Sequence, residues 1–521
     1  MALNHVLLFI AFISPLVLIA RSQRSAEMNR GWRTASVAVL LVAGAAWLFF
    51  PSIAGYIGGG AWFALLLIPA ITARKLADLS LRQRFSSARR LATLLRFLHP
   101  SDGVPEQARL LRALESAQRG ETDAAIDWLA ELHSNTTAVG RLAIAQTFRL
   151  RGDWEGLLAW CRSHVVPAAL RRDPVLPLYF RALGETHALD DLLLQFAARG
   201  QTISGDTSSN PILQLSLLTV LAFYGRTKSL VRLMATSLRK LSKETQEFWI
   251  ATSELAADDL AAGQARLERL RVETKDVMIR ADVERRLERA PDYSRAAANR
   301  SVESERILHQ LENRRVISHT PFLAQRIRAT PVVVTLIVLN VAVFALETAL
   351  GGSENPLTLH RLGQLETTAF FANHEYWRLF TALFLHYGYL HLLFNIYALY
   401  LLGPALEKSI GALRFVVCYL VSGIGAGLGV VGLHSIGWTN AEEVVGASGS
   451  IMGIVGAWAG LLLRHRHAPL AGRRLQSICV IVAIQTAFDL STPQVSMGAH
   501  MCGLISGLIL GLILTPRSLH A

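Results

Sequence analysis

The feature that most constrains this chain is its series of apolar runs of bilayer length, separated by short polar loops. Six follow one another in the C-terminal part, at about Pro331–Leu350, Leu379–Leu402, Leu413–Leu433, Ser448–Leu463, Ile478–Leu490 (or from nearer Leu475) and Met497–Leu514. Three more open the chain, at about Leu3–Ala20, Ala35–Phe50 and Gly55–Ile71. In hydrocarbon every backbone N–H and C=O must find a partner inside the protein, and continuous runs of this length do so as helices. The expected fold is all-α, a polytopic helical membrane protein with nine spans.

The basic residues fix an expected orientation. Arg21, Arg24, Arg30 and Arg33 follow the first run, and Arg74, Lys75, Arg82 and Arg84 follow the third. In the C-terminal six, Lys408 and Arg414, then Arg464, Arg466, Arg473 and Arg474, then Arg517 fall in alternate loops, whereas Gly437–Val445 and Ser491–Ser496 hold no Lys or Arg. Positive loops stay in the cytoplasm. One arrangement satisfies both halves: N-terminus outside, the long central stretch and the C-terminus in the cytoplasm. The first apolar run has its charge after it, unlike a signal peptide, and without a transit-type N-terminus the expected membrane is a bacterial inner membrane. This topology also accounts for the formal charge of +13. No nucleic-acid recognition motif accompanies the charge, and no nucleic-acid partner is expected. Cys161, Cys418, Cys479 and Cys502 stand singly, so no disulfide framework, metal site or cofactor is expected.

Four parts are expected: residues 1–72, three transmembrane helices; 73–271, a cytoplasmic helical domain; 272–327, a charged helical linker; and 328–517, a six-helix membrane domain. Within the second, turn signals recur at Gly120-Glu121-Thr122, Gly152-Asp153-Trp154, Gly184-Glu185-Thr186 and Gly225-Arg226-Thr227, each between apolar-periodic helices. A period in the low thirties resembles tetratricopeptide repeats without their full consensus, and implies an α-solenoid-like domain with a protein partner on its concave face. A plain helical bundle is an equal alternative. The Arg/Glu-rich stretch Val272–Arg315 has no long apolar seam and reads as a solvated linker.

Polar groups inside apolar runs are costly and point to function. Gly446-Ala447-Ser448-Gly449-Ser450 opens the fourth C-terminal run, where a serine between glycines presents a hydroxyl and backbone N–H groups to a reacting carbonyl. Its glycines, with Gly453, Gly456 and Gly460, equally suit close helix packing. His500, Gly503, Gly507 and Gly511 share one face of the sixth run, and apposing the two small-residue stripes brings His500 to Ser448 as general base. His391 and Asn395 share a face of the second run and are suited, with the Ser448 amide, to bind an oxyanion. The orientation puts all these groups in the outer half of the bilayer. His386, Tyr387 and Ser450 are candidates to line a water-filled cavity. No buried acid is expected to complete a triad, because Asp489 lies near the end of the fifth run with Pro493 close behind and reads as an interfacial loop residue. The expected machinery is a Ser448–His500 dyad.

From about Arg328 to Arg517 these marks resemble the rhomboid family of intramembrane serine proteases. The resemblance is carried by Trp377-Arg378, by His386, His391 and Asn395 in H-x4-H-x3-N, by Gly403 and Glu407, by G-A-S-G at 446–449, and by A-H-x2-G-x3-G from Ala499 through Gly503 to Gly507. It implies a six-helix core, the Ser448–His500 dyad, an oxyanion site of His391, Asn395 and the Ser448 amide, and cleavage of transmembrane protein substrates near their outer ends, in contact with membrane lipids. Met452 departs from it, because many rhomboids carry an aromatic ring four residues after the serine. Two alternatives stand beside it. One is an inactive rhomboid-like scaffold for membrane clients. The other is a transporter, for which paired carboxylates and inverted repeats are lacking.

Overall fold

The structure, a computed structural model, describes residues 3–22, 30–98, 103–165, 173–201, 211–293, 304–308, 330–438, 443–467, 471–492 and 495–514. Arg24, Arg326, Arg328 and Arg517 lie outside the described residues. The described residues are all-α apart from one pair of two-residue strands, and the chain divides into two units, one of residues 10–319 and one of residues 320–521 with residues 1–9.

The first unit begins with three apolar helices, α1 (Leu3–Ser22, from Ile10 onward in this unit), α2 (Arg30–Phe49) and α3 (Ala54–Leu81). They meet through small residues: a Cβ on Gly58 would stand 3.0 Å from that of Ala43 and 3.2 Å from that of Ala11. Trp62 Nε1 donates to Ser14 Oγ at 3.0 Å, pairing two groups that lipid would leave unsatisfied. The helix α4 (Phe85–Leu98) leads into five hairpins: α5 (Val104–Gln118) with α6 (Thr122–Ala130), α7 (Ala138–Arg151) with α8 (Trp154–His164), α9 (Leu176–Glu185) with α10 (Leu189–Gln201), α11 (Pro211–Phe223) with α12 (Thr227–Thr236), and α13 (Lys243–Ala256) with α14 (Leu260–Glu273).

Each hairpin turns through one residue of left-handed backbone: Gly120, Gly152, His187, Gly225 and Asp258. Three of the four glycine turns expected from the sequence are of this kind. Gly184 is not a turn residue; it sits inside α9, where a Cβ would strike the Phe223 ring, and the turn comes three residues later at His187. The fifth turn, at Asp258, has no glycine to announce it.

The charged stretch after α14 also differs from expectation. The helix α15 (Val277–Glu288) is not a solvated linker but carries buried ion pairs. Asp282 is held by Arg181 Nη1 and Arg149 Nη2, each at 3.0 Å, and by Arg285 Nη2 at 2.6 Å, while Arg286 and Tyr293 reach the Glu185 carboxylate. The sequence conceals this because most of the partners are distant: Glu185, which Arg286 meets, and Arg149 and Arg181, which meet Asp282, each stand more than a hundred residues earlier. Residues 294–303 and 309–327 of the expected linker lie outside the described residues.

Burial alone would raise the Asp282 carboxyl, but Arg181, Arg149 and Arg285 outweigh it and hold it below its ordinary 3.8. Glu185 is likewise held low against burial by Arg286, Arg181 and Tyr293. With folded values below unfolded ones, these carboxylates stabilise the unit above about pH 4, and that contribution fades as pH falls through the depressed folded values. Asp282→Ala leaves buried guanidinium groups uncompensated and is expected to destabilise α9 and α15 by about 3–5 kcal/mol at pH 7. Hydrogen exchange on these two helices checks it, and the difference from the native chain should shrink in acid.

The second unit is built on six helices: α16 (Pro331–Ala349), α20 (Gly388–Ile410), α21 (Ala412–Ser435), α22 (Ser448–Arg464), α23 (Ala471–Ser491) and α24 (Met497–Leu514). Between α16 and α20 lie α17 (Pro356–Leu362), β1 (Leu365–Glu366), α18 (Thr367–Ala372) and α19 (Arg378–Thr381); β2 (Glu443–Val444) precedes α22. Seven helices of the described chain are long and apolar enough to cross a membrane: α1, α2, α3, α16, α20, α21 and α24. The nine expected spans lose two by this measure. The apolar helix α22 has 17 residues, and α23 carries Arg474, Gln476, Gln485 and Asp489. The second expected span is also displaced: α20 starts at Gly388, and the preceding Leu383, Phe384 and Leu385 are buried in protein rather than continuing the helix.

Candidate active site

The two small-residue stripes meet. A Cβ on Gly503 would run into the carbonyl oxygen of Gly449, one on Gly507 into that of Gly453, and one on Gly511 into that of Ala457. From the other side, Gly456 and Gly460 face the backbone of Leu504 and Leu508. The helices α22 and α24 therefore touch backbone to backbone, as only small residues allow. Gly449 lies against Ala499, its absent Cβ 3.7 Å from the Ala499 carbonyl, so the residue after Ser448 meets the residue before His500 across the two helices. His500 is buried at the start of α24, whose first turn Ser496 closes by accepting from Ala499 N at 3.2 Å.

Asp489 corrects the reading of an interfacial loop residue. The helix α23 continues through it to Ser491, and Asp489 is 6% exposed, its carboxylate turned inward. Its Oδ2 lies 2.8 Å from His500 Nδ1, and its Oδ1 accepts from Gln485 Nε2 at 2.8 Å, one helical turn earlier. Gln485 and Asp489 share a face at i and i+4, a spacing visible in the sequence that, with the acid's place inside an apolar run, could have found it.

The turn before Ser448 is held by several elements. β1 pairs antiparallel with β2, Leu365 opposite Val444, and Gly446 N donates to the Ala382 carbonyl at 2.9 Å. Gly446 has φ +123, a conformation side chains rarely adopt, and a Cβ there would stand 2.7 Å from His391 Cε1 and 2.8 Å from its Nε2. Asn395 Nδ2 is 3.8 Å from the same point and donates one proton to the His391 carbonyl at 3.0 Å. His391 Nδ1 accepts from Tyr387 N at 3.3 Å, which leaves Nε2 as the protonated nitrogen, beside the Gly446 turn. The arrangement is two side-chain donors beside a strained turn that ends in a serine.

Other motif residues hold the frame. His386 is fully buried; its backbone N–H donates to Glu347 Oε1 at 3.0 Å, its Nδ1 faces the Phe384 carbonyl at 3.1 Å, and its ring lies 5.3 Å from that of His391. Glu347, an acid near the end of α16, escaped the sequence reading although an ionisable group in an apolar run is itself a signal. Arg378 is buried, donates to the carbonyls of His360 and Gln364 at 2.9 Å each, pairs with Glu375, and stacks on Trp377. Glu407 accepts from Val332 N and Val333 N at 3.2 and 2.9 Å, capping α16 with a negative charge at its N-terminus. Met452 is buried in the core of this unit. Ser450 is fully buried, and its Oγ fills the space a Cβ on Gly423 of α21 would take.

Residues 373–517 match the family described as Rhomboid domain. The chain is 32% identical over 146 residues to the putative rhomboid protease YdcA of Bacillus subtilis, covering 28% of this chain and 71% of that protein. It is 36% identical over 172 residues to RHOMBOID-like protein 1 of Arabidopsis thaliana, and 34% identical over 172 residues to the rhomboid protease GluP of Bacillus subtilis. Those matches take in 32% and 33% of this chain but only 42% and 32% of the two relatives' own lengths.

Proposed function

This chain belongs to the rhomboid family, and we propose that it is an intramembrane serine endopeptidase that cleaves transmembrane segments of membrane proteins near the outer leaflet. The observation that carries the reading is the convergence of His391 and Asn395 on the Gly446 turn before Ser448, with Ala499, the residue before His500, against Gly449 on the facing helix. Ser448 Oγ attacks the scissile carbonyl while His500 takes its proton. The negative oxygen that develops is met by the Ser448 amide, His391 Nε2–H and the free N–H of Asn395. The His500 proton then passes to the departing amine, leaving an ester on Ser448. Water, deprotonated by His500, releases the second product as a carboxylate and restores the serine. The proposed topology has the N-terminus outside and residues 73–271, with the C-terminus, in the cytoplasm, where the helical hairpins would receive a protein partner.

A substrate helix hides its carbonyls in i→i−4 hydrogen bonds and must unwind to be cut, so weak helix formers in the segment set selection. With the full chain in liposomes, a single-span reporter carrying Gly and Pro in its outer half is expected to be cut at least about tenfold faster than a Leu-rich version, since Gly alone weakens a helix by about 1 kcal/mol per residue and Pro by about 3. Mass spectrometry of the products locates the bond. Absence of cleavage of the weak helix overturns the protease reading, and equal cleavage of both overturns selection by unwinding.

A further inference from the structure

Resting on the serine-protease reading, we infer that Asp489 is the positioning residue for His500, so that the reacting group is a relay of Ser448, His500 and Asp489. Asp489 and His500 come from different helices, α23 and α24, and both are buried, 6% and 4% exposed. A buried acid at membrane depth is costly unless its oxygens are met by donors, and here each oxygen has one: Gln485 Nε2 on Oδ1 and His500 Nδ1 on Oδ2, both at 2.8 Å. An ionised carboxylate only accepts, so Nδ1 carries the proton and Nε2 keeps its lone pair for the serine. When Nε2 takes the serine proton the ring becomes a cation, and the carboxylate already lies against it. Gln485 fixes the carboxylate in turn, which makes Asp489 an anchor whose own rotamer is set.

The test uses the full-length chain in detergent micelles and a fluorophosphonate, which phosphonylates an activated serine with loss of fluoride. In Asp489→Asn the side chain keeps its size, but its NH2 can donate to Nδ1 and favour the tautomer with the proton on Nε2. Its maximal labelling rate is expected to fall on the order of 10²–10⁴-fold, with the half-saturating concentration and the melting temperature little changed. Asp489→Glu, which restores the charge, should recover at least about tenfold of the loss. A purely structural acid would tolerate the isosteric amide. Labelling of Asp489→Asn within threefold of the native rate, or no gain in Asp489→Glu, therefore overturns the proposal. Ser448→Ala and His500→Ala separate the two readings: labelling of either at the native rate refutes the serine-protease reading itself, whatever Asp489 does.

Discussion

On the proposed mechanism, Ser448→Ala and His500→Ala are each expected to lower the cleavage rate of the single-span reporter by about five to six orders of magnitude, with the double variant no worse than either alone. The magnitude follows from how a nucleophile and its base act as one unit: removing either in a serine protease costs on the order of 10⁶-fold in kcat, about 8 kcal/mol at 1.36 kcal/mol per tenfold. On that mechanism the serine proton has nowhere to go as the bond forms without His500, and the imidazole faces no hydroxyl without Ser448. An oxyanion donor such as Asn395 is worth less, about 3–4 kcal/mol, because two others remain. The residual rate in both single variants should be the same, since it comes from that oxyanion site and from substrate binding alone. Densitometry of reporter products over a long incubation measures it. Cleavage by Ser448→Ala within tenfold of the native chain would remove the nucleophile from Ser448.

What the sequence made legible was whatever repeats along one element. The stripe of Gly449, Gly453, Gly456 and Gly460 against Gly503, Gly507 and Gly511 is a period of three and four residues, and backbone contact between α22 and α24 is its direct result. His391 and Asn395 were legible in the same way. What stayed hidden depends on pairs far apart. Asp489 meets His500 eleven residues on, across the α23–α24 turn; Glu407 caps a helix 75 residues earlier; Asp282 joins Arg149 and Arg181 from more than a hundred residues away. Asp489 and Asp282 have partners on other elements, so composition reads them as loop or solvated surface; Glu407 stands out as a motif residue, but the helix it caps does not show in the sequence. The start of α20 was misplaced for a related reason. Leu383, Phe384 and Leu385 are as apolar as a span but are buried by protein, and hydropathy does not distinguish protein from lipid.

Gly507→Val is expected to lower kcat by more than about 100-fold while the chain remains helical and inserted. A Cβ at Gly507 would meet the carbonyl oxygen of Gly453 and stand 2.6 Å from its Cα. These are backbone atoms of α22, so no neighbouring side chain can rotate away, and α22 and α24 must separate. Ordinary contact begins near 3.4 Å; the opening is therefore on the order of 1 Å for a methyl group and more for the branched side chain, and overpacking of this kind costs about 1–3 kcal/mol in stability. The larger effect is on chemistry, since a misplacement of about 1 Å between reacting groups costs about 100-fold, and Ser448 and His500 ride on the two helices being forced apart. Gly432→Ala is the control: Gly432 is also helical, on α21, but a Cβ there meets nothing within 4 Å, and its activity should stay within twofold of the native chain. Circular dichroism and melting in detergent report the fold, and reporter cleavage in liposomes reports the chemistry. Gly507→Val cleaving within threefold of the native rate would mean that the glycine contact does not set the distance between Ser448 and His500.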